Sequence, residues 1–188
     1  MDIILASASP RRAELLKQIG IDFSVVCADI DEKVDFTPYD AVMYLSEQKA
    51  KAVAGKISQP SIIIAADTIV DLDGVCLGKP VDEKHAFKML KSLSGRKHLV
   101  HTGVSVLNTQ NMHIITQAVT TEVEFLSLTD KEIISYIESG EPMDKAGAYG
   151  IQGRAAGFVK GINGCYSNVV GLPLSKVIDI LKQLQVYT

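Results

Sequence analysis

Cysteine is scarce in this chain, and basic residues are not in excess. The three cysteines, Cys27, Cys76 and Cys165, form no Cys-x-x-Cys pair, which argues against a zinc knuckle and against a disulfide framework. Lysine and arginine number 19 against 22 aspartates and glutamates, whereas proteins that bind nucleic acid without regard to sequence usually carry a basic surplus. Any site for an anion must therefore be local.

Long apolar runs are also lacking. No stretch reaches the roughly 18 apolar residues that a membrane span requires, and no basic segment precedes an apolar core of the signal-peptide kind. We found no internal repeat, low-complexity tract or linker-like segment. We therefore expect one domain over residues 1–188, a length compatible with two lobes around a cleft, in a reducing cytoplasm and without a nucleic-acid or membrane partner.

Strands and helices alternate along the chain, as hydrophobic periodicity and capping residues indicate. Residues 61–70 are almost continuously apolar and β-branched, which is typical of an interior strand covered on both faces. Residues 98–110 and 112–128 predict two long antiparallel strands. The whole pattern predicts an α/β fold with a mixed sheet. The other predicted strands are 3–5, 21–28 and 157–162, and the predicted helices are 10–19, 38–56, 82–93, 129–139 and 172–184.

Two arginines, Arg11 and Arg12, stand in the first turn of the helix that begins after Ser9. Unpaired N–H groups and the helix dipole already make that end positive, so two cations there are unfavourable by roughly a few tenths of a kcal/mol or more. A bound phosphate would reverse this, because the N–H groups, the dipole and the guanidinium groups would all attract it. The alternative is that both arginines are solvated surface residues.

Two charged residues interrupt apolar patterns. Asp67 falls within the predicted strand 61–70, where a carboxylate is costly unless it is paired, hydrogen-bonded or bound to a metal. The alternative is a strand that stops at Ala66 and an Asp67 that caps a turn. Lys49 shares one helix face with three apolar residues, so its charge is either held inside a cleft or extended past that face to solvent.

Further charged residues are candidates for the same cleft. Lys79 is held extended by the proline that follows it and could reach into the cleft. Asp29, Asp31 and Glu32 follow a predicted strand, and with Asp67 they could hold a hard divalent ion that bridges phosphate oxygens. Solvated surface positions are the alternative in each case.

The segment DKAGAYGIQG, residues 144–153, spaces three glycines three residues apart. Glycines permit a close approach of the backbone to a ligand, but this segment does not follow a strand as a dinucleotide-binding motif does. Tyr149 could stack on a ring, and Gln152 offers both a donor and an acceptor to a base edge. A purely structural turn is the alternative.

Six segments, in this order and spacing, resemble one family. They are SASPRRAELL at 7–16, the acidic pair at 31–32, EQKAKA at 47–52, AADTIV at 65–70, LGKP at 77–80 and DKAGAYGIQG at 144–153. Together they resemble the Maf family of nucleotide pyrophosphatases nearly from end to end. The resemblance implies an elongated α/β fold with a central cleft, related to inosine-triphosphate pyrophosphatases, and a homodimer. It also implies hydrolysis of a nucleoside triphosphate to monophosphate and pyrophosphate with a divalent metal, Mg²⁺ or Mn²⁺.

The same resemblance implies a role for individual residues. Asp67 would accept the proton and, with Glu32, hold the metal. The residues around the phosphates would be Ser7, Arg11, Arg12, Lys49 and Lys79. The loop at 144–153 is similar to that of the branch acting on dTTP and UTP rather than on 7-methyl-GTP. The residues that would set this preference are Arg11, Thr68 and Gln152.

The rival interpretation is a regulatory protein that binds only a nucleotide or a cell-division partner, since Maf proteins are also associated with septum formation. A protein that only binds polyanions does not benefit from a carboxylate beside the phosphates, unless that carboxylate holds a metal. Asp67 therefore favours an enzyme.

Overall fold

The computed structural model describes residues 1–186. Its strands are β1 (Asp2–Leu5), β2 (Ser24–Val25), β3 (Ser61–Leu72), β4 (Val75–Leu77), β5 (Lys97–Asn108), β6 (His113–Phe125) and β7 (Val159–Asn163). Within the described residues these seven strands form one mixed sheet in the order β2-β1-β3-β5-β6-β7, with β4 paired to β3. β1 is parallel to β2 and β3, and the other pairs are antiparallel.

Helices connect and cover these strands, which confirms the α/β class. They are α1 (Pro10–Gln18), α2 (Pro38–Ala54), α3 (Glu83–Leu93), α4 (Asp130–Ile137), α5 (Tyr166–Val170) and α6 (Leu174–Gln183), with short 3₁₀ helices at Glu141–Asp144, Ala146–Ala148 and Arg154–Phe158. Thr129 and Glu132 form the capping box that begins α4. None of the helices in residues 1–186 is long and apolar enough to cross a membrane.

The predicted strand at 21–28 is wrong in extent, because β2 has only two residues. β1 offers partners for Ser24 and Val25, and one further backbone bond joins the Val26 N–H to the Leu5 carbonyl. Beyond that point the chain leaves the sheet and runs along a cleft instead. Strands β4 and β7, with α5, are short elements, and of these the hydrophobic pattern indicated only β7.

β3 is covered on both faces, as its apolar sequence predicted. Ile62 and Ile64 pack with α1 and α6 on one face, while Ile63 and Ala65 pack with α2 on the other. The far end of the strand, from Val70, joins a third apolar cluster with α3 and α4. The middle of β3 therefore lies between clusters, and Asp67 occupies this gap.

α2 approaches the sheet unusually closely at Gly103 in β5. A Cβ atom built on Gly103 would stand 2.1 Å from the Val42 carbonyl oxygen and 2.9 Å from the Met43 nitrogen. Gly103 is also the register partner of Asp67 on the neighbouring strand. The missing side chain thus lets α2 lie against the part of the sheet that carries Asp67.

Candidate active site

A cleft of about 650 Å³ opens at the middle of β3. This volume lies within the range of about 300–1,000 Å³ that is usual for small-molecule sites. The nine residues to which the family resemblance gives a role all line it: Ser7, Arg11, Arg12, Glu32, Lys49, Asp67, Thr68, Lys79 and Gln152. Asp29 and Asp31 do not line it, and Asp31 instead accepts a hydrogen bond from the Lys33 N–H.

Asp67 is buried at the floor of the cleft, within β3 rather than at a strand end. Its Oδ1 accepts a hydrogen bond from Lys49 Nζ at 2.6 Å. The same ammonium lies 2.7 Å from Glu32 Oε1, and only 11% of the Lys49 side chain is exposed. Lys49 is therefore held inside the cleft between two carboxylates, and the alternative of a solvent-directed side chain is wrong.

The charges in the cleft act on one another. Burial acts to raise the pKa of Glu32, but the hydrogen bond and charge of Lys49, together with Lys79 and Arg12, hold that pKa below its ordinary value. Burial lowers the pKa of Arg12, because it disfavours the charged guanidinium, while the charge of Asp67 opposes this effect. Cations from three separate segments thus act on Glu32, and two of them, Lys49 and Arg12, also act on Asp67.

Arg12 is fixed by three hydrogen bonds within the protein. Its Nε donates to the Gly171 carbonyl at 2.8 Å, one terminal nitrogen donates to Ser7 Oγ at 3.1 Å, and the other donates to Thr68 Oγ1 at 3.0 Å. Ser7 Oγ also accepts from the Ser9 N–H at 3.2 Å, which shapes the entry to α1. A guanidinium has five N–H donors, so Arg12 keeps donors for an anion.

Thr68 lines the cleft beside Arg12. Thr102 uses its hydroxyl hydrogen on the Asn168 carbonyl, so in the 3.0 Å contact between the two threonines Thr68 must be the donor. Its oxygen meanwhile accepts from Arg12. The hydroxyl hydrogen of Thr68 is therefore already used, and Thr68 can act on a ligand through its remaining lone pair or through the position of Arg12.

Arg11 points across the cleft to the segment that follows α4. Its terminal nitrogen lies 3.9 Å from Asp144 Oδ2, and Asp144 also pairs with Lys145 at 2.7 Å. Unlike that of Arg12, the side chain of Arg11 makes no hydrogen bond to the rest of the chain within residues 1–186. The two arginines of the first helical turn thus differ, since one is built into the cleft wall and the other is available to a ligand.

Lys79 is exposed at the cleft and follows Gly78, whose carbonyl accepts from the Gly147 N–H at 3.0 Å. Gly147 has a φ of +66°, and a Cβ there would meet the Val70 side chain at 2.9 Å. A left-handed backbone packed this tightly requires glycine. The glycines of the 144–153 segment are therefore partly structural, and Gly147 joins the segment to Gly78, the residue before Lys79.

Gln152 is exposed at the cleft, whereas Tyr149 is not free to stack on a ring as the sequence had suggested. The Tyr149 hydroxyl lies 2.8 Å from His98 Nε2, and its ring packs on Phe125 with centroids 4.8 Å apart. Burial lowers the pKa of His98 to about 4, so the imidazole is neutral near pH 7. Tyr149 anchors the segment in the apolar core instead.

Comparison with known proteins agrees with this arrangement. The sequence model of the family described as "Maf-like protein" matches residues 2–184. The chain belongs to the Maf family. The family predicted from the six sequence motifs is thereby confirmed.

Several relatives of this Maf protein are similar over their whole length. A protein from Clostridium novyi (strain NT), named dTTP/UTP pyrophosphatase, is 50% identical, and the match covers 99% of both chains. Proteins of the same name from Clostridium beijerinckii and Pelotomaculum thermopropionicum are 48% identical, covering 98% and 97% of this chain and 100% and 96% of theirs. Among solved structures, the Staphylococcus aureus Ham1 protein matches 66% of this chain and 72% of its own at 18% identity, with a TM-score of 0.49.

Sequence reasoning missed two polar residues of the Maf cleft. Asp144 and Lys145 both line it, and only 12% of the Lys145 side chain is exposed. Lys145 donates to the Glu141 carbonyl at 2.5 Å as well as to Asp144. The available signal was the charged pair that opens the DKAGAYGIQG segment.

The two arginines are expected to respond differently to alanine. Arg12→Ala removes three hydrogen bonds of a charged donor and should lower the free energy of unfolding by about 1–3 kcal/mol. Arg11→Ala removes one long ion pair and a cation from the positive helix end, so the ligand-free stability should change by less than about 0.5 kcal/mol. Thermal melts without nucleotide measure the stability of both variants. Equal losses of stability would contradict the difference between a built-in Arg12 and an available Arg11.

Proposed function

We propose that this Maf protein hydrolyses dTTP and UTP to the monophosphate and pyrophosphate. The observation that carries the proposal is the buried Asp67 carboxylate at the floor of a cleft lined by Arg11, Arg12, Lys49 and Lys79. A triphosphate is the kind of ligand that four cations suit, and the carboxylate supplies a group that a simple anion binder does not need. The names of the relatives point to the same reaction.

In the proposed reaction, a water molecule attacks the α-phosphorus in line with the bond to the leaving group. The bond from the water oxygen to the α-phosphorus forms, the bond between the α-phosphorus and the α–β bridging oxygen breaks, and Asp67 takes the proton of the water. Lys49 holds Oδ1 of Asp67, which leaves the carboxylate in one orientation. The arginines and Lys79 then balance the charge that develops on pyrophosphate.

The donor set also fits a divalent metal. Mg²⁺ is commonly held by one or two carboxylates together with substrate phosphates rather than by a cage of protein ligands. Residues 1–186 contain no group of three or more histidine, cysteine, aspartate or glutamate side chains placed to hold a metal, but Asp67 and Glu32 lie on either side of one ammonium. We infer that these two carboxylates hold Mg²⁺ or Mn²⁺, which when bound neutralises charge on the phosphate oxygens.

The direct test is a hydrolysis screen of canonical and modified nucleotides, with Mg²⁺ and with Mn²⁺. The products must be separated, because monophosphate plus pyrophosphate supports attack at the α-phosphorus and diphosphate plus phosphate contradicts it. We expect dTTP and UTP to be the best substrates and chelation of the metal to abolish turnover. A preference for 7-methyl-GTP would contradict the proposed substrate.

Gln152 is expected to select the base. Its amide can pair with the alternating carbonyl and N–H edge that uracil and thymine share and that cytosine does not present. Gln152→Leu or Gln152→Glu should therefore lower kcat/KM for dTTP and UTP more than for CTP, because a hydrogen-bonding site rejects the wrong edge by leaving its own polar groups unpaired. An unchanged ratio of dTTP to CTP in both variants would remove Gln152 from this role.

A regulator that binds nucleotide or a cell-division partner without turnover is the second candidate. The same screen separates the two, since a regulator would bind dTTP without releasing pyrophosphate. The homodimer stays a prediction, which the mass of the protein in solution can test.

A further inference from the structure

Gln152 lies in a short turn, and the backbone on both sides of that turn is held by one pair of side chains. On the near side, the Gly150 N–H donates to the Tyr136 hydroxyl at 3.3 Å. On the far side, the Arg154 N–H donates to Glu141 Oε2 at 3.1 Å. The two anchors are themselves joined, because the Tyr136 hydroxyl donates to Glu141 Oε1 at 3.0 Å.

The pair has little freedom of its own. Tyr136 is buried on α4 among apolar residues, and its ring packs edge-on against Phe158 at 5.2 Å between centroids. Glu141 begins the short 3₁₀ helix Glu141–Asp144, four residues after the end of α4, and its main-chain carbonyl accepts from Lys145. One anchor thus lies on α4 and the other on the 3₁₀ helix that follows it, so neither belongs to the turn that they hold.

Gly153 shows how closely the turn is seated on Glu141. A Cβ on Gly153 would stand 1.9 Å from Glu141 Oε1 and 2.5 Å from the carboxyl carbon. The backbone beside Gln152 is thus in direct contact with the carboxylate. Both oxygens of Glu141 are engaged, one with a side chain of α4 and the other with the turn.

We propose that Glu141, together with Tyr136, is a positioning residue that sets the place of Gln152 and so the choice of base, an inference that rests on the proposed function. Neither residue lines the cleft, and the proposed attack at the α-phosphorus uses neither of them. Their loss loosens the turn at both ends. Since a misplacement of about 1 Å can reduce rates by about a hundredfold, a loose turn weakens base selection.

The first test compares Glu141→Ala with Glu141→Gln and with Glu138→Gln, a matched control on an exposed glutamate at the end of the same helix. Glu141→Ala should lower the ratio of kcat/KM for dTTP to that for CTP about tenfold, mainly through a higher KM for dTTP. Glu141→Gln can still accept from Arg154 and donate to Tyr136, so it should keep most of the ratio. A smaller folded fraction would lower kcat/KM for dTTP and for CTP by the same factor, so it would leave their ratio unchanged.

Tyr136→Phe tests the same inference if Glu141→Ala fails to fold, since it removes only the hydroxyl that joins Glu141 to the Gly150 N–H. This variant should also lower the ratio of dTTP to CTP. An unchanged ratio in Tyr136→Phe, or in a folded Glu141→Ala protein, overturns the proposal.

Hydrogen exchange provides a readout that needs no activity. The amides of Gly150 and Arg154 should exchange faster in Glu141→Ala than in the wild type and in Glu138→Gln. Unchanged exchange at both amides would overturn the proposal that Glu141 and Tyr136 hold the turn. If the wild type hydrolyses neither dTTP nor UTP, the proposed function fails, while the exchange measurement still decides whether Glu141 and Tyr136 hold the turn.

Discussion

Asp67→Asn is expected to fold and to lose roughly 10²–10⁴-fold in kcat, the range usual for removing a general base. Asparagine has nearly the shape of aspartate, and its amide oxygen can still accept the hydrogen bond from Lys49. It cannot take a proton from water. The measurement is kcat on the best nucleotide of the screen, at saturating substrate and with the metal present.

Asp71→Asn is the matched control. Asp71 lies four residues further along the same strand, and its side chain is 12% exposed against 10% for Asp67. It contacts His101 and the Gly74 N–H rather than the cleft cations. Asp71→Asn should cost stability without a comparable loss of kcat. A folded Asp67→Asn protein with kcat near that of the wild type would contradict the role of Asp67.

Gly103→Ala is expected to destabilise the fold by about 1–3 kcal/mol or more, the usual range for overpacking a tight interior. The added methyl would meet the Val42 carbonyl and the Met43 nitrogen, which are backbone atoms that cannot rotate away. α2 must shift as a body, and Lys49 shifts with it relative to Asp67. The variant should therefore melt several degrees below the wild type and also lose turnover.

Gly161→Ala in β7 is the control for Gly103→Ala. It makes the same change within a strand, but no atom lies within 4 Å of the added Cβ. Its melting temperature should stay close to that of the wild type. Equal melting temperatures for the two variants would mean that α2 tolerates displacement. The close approach at Gly103 would then not be what fixes Lys49 relative to Asp67.

Local sequence patterns were sufficient to predict most elements. Apolar periodicity and capping residues predicted the long helices and the strands β3, β5 and β6, because each of these elements carries its own pattern over ten or more residues. The prediction was wrong at 21–28, where the length of the strand depends on its partner. β1 pairs with only two residues of this segment, and the sequence of residues 21–28 does not reveal how long its partner strand is.

The candidate site residues could be predicted where a charge contradicted its local pattern. Asp67 interrupts an apolar strand, Lys49 interrupts an apolar helix face, and Arg11 and Arg12 stand at the positive end of a helix. Each conflict costs free energy that only a ligand or a partner can offset. Resemblance to the Maf family then supplied the expected chemistry, which local patterns do not contain.

By itself the sequence determined the α/β class, the family and most of the charged residues around the cleft, since these depend on local order and on motifs. The tertiary structure alone decided which contacts each of them makes. Arg12 is fixed by the carbonyl of Gly171, 159 residues away along the chain, while Arg11 stays available, although both occupy the same helical turn. Glu141 likewise accepts from the Arg154 N–H only because folding places it beside Gly153 and Arg154. A hydrogen bond between distant segments leaves no periodic trace in either, because each end sees only its own neighbours.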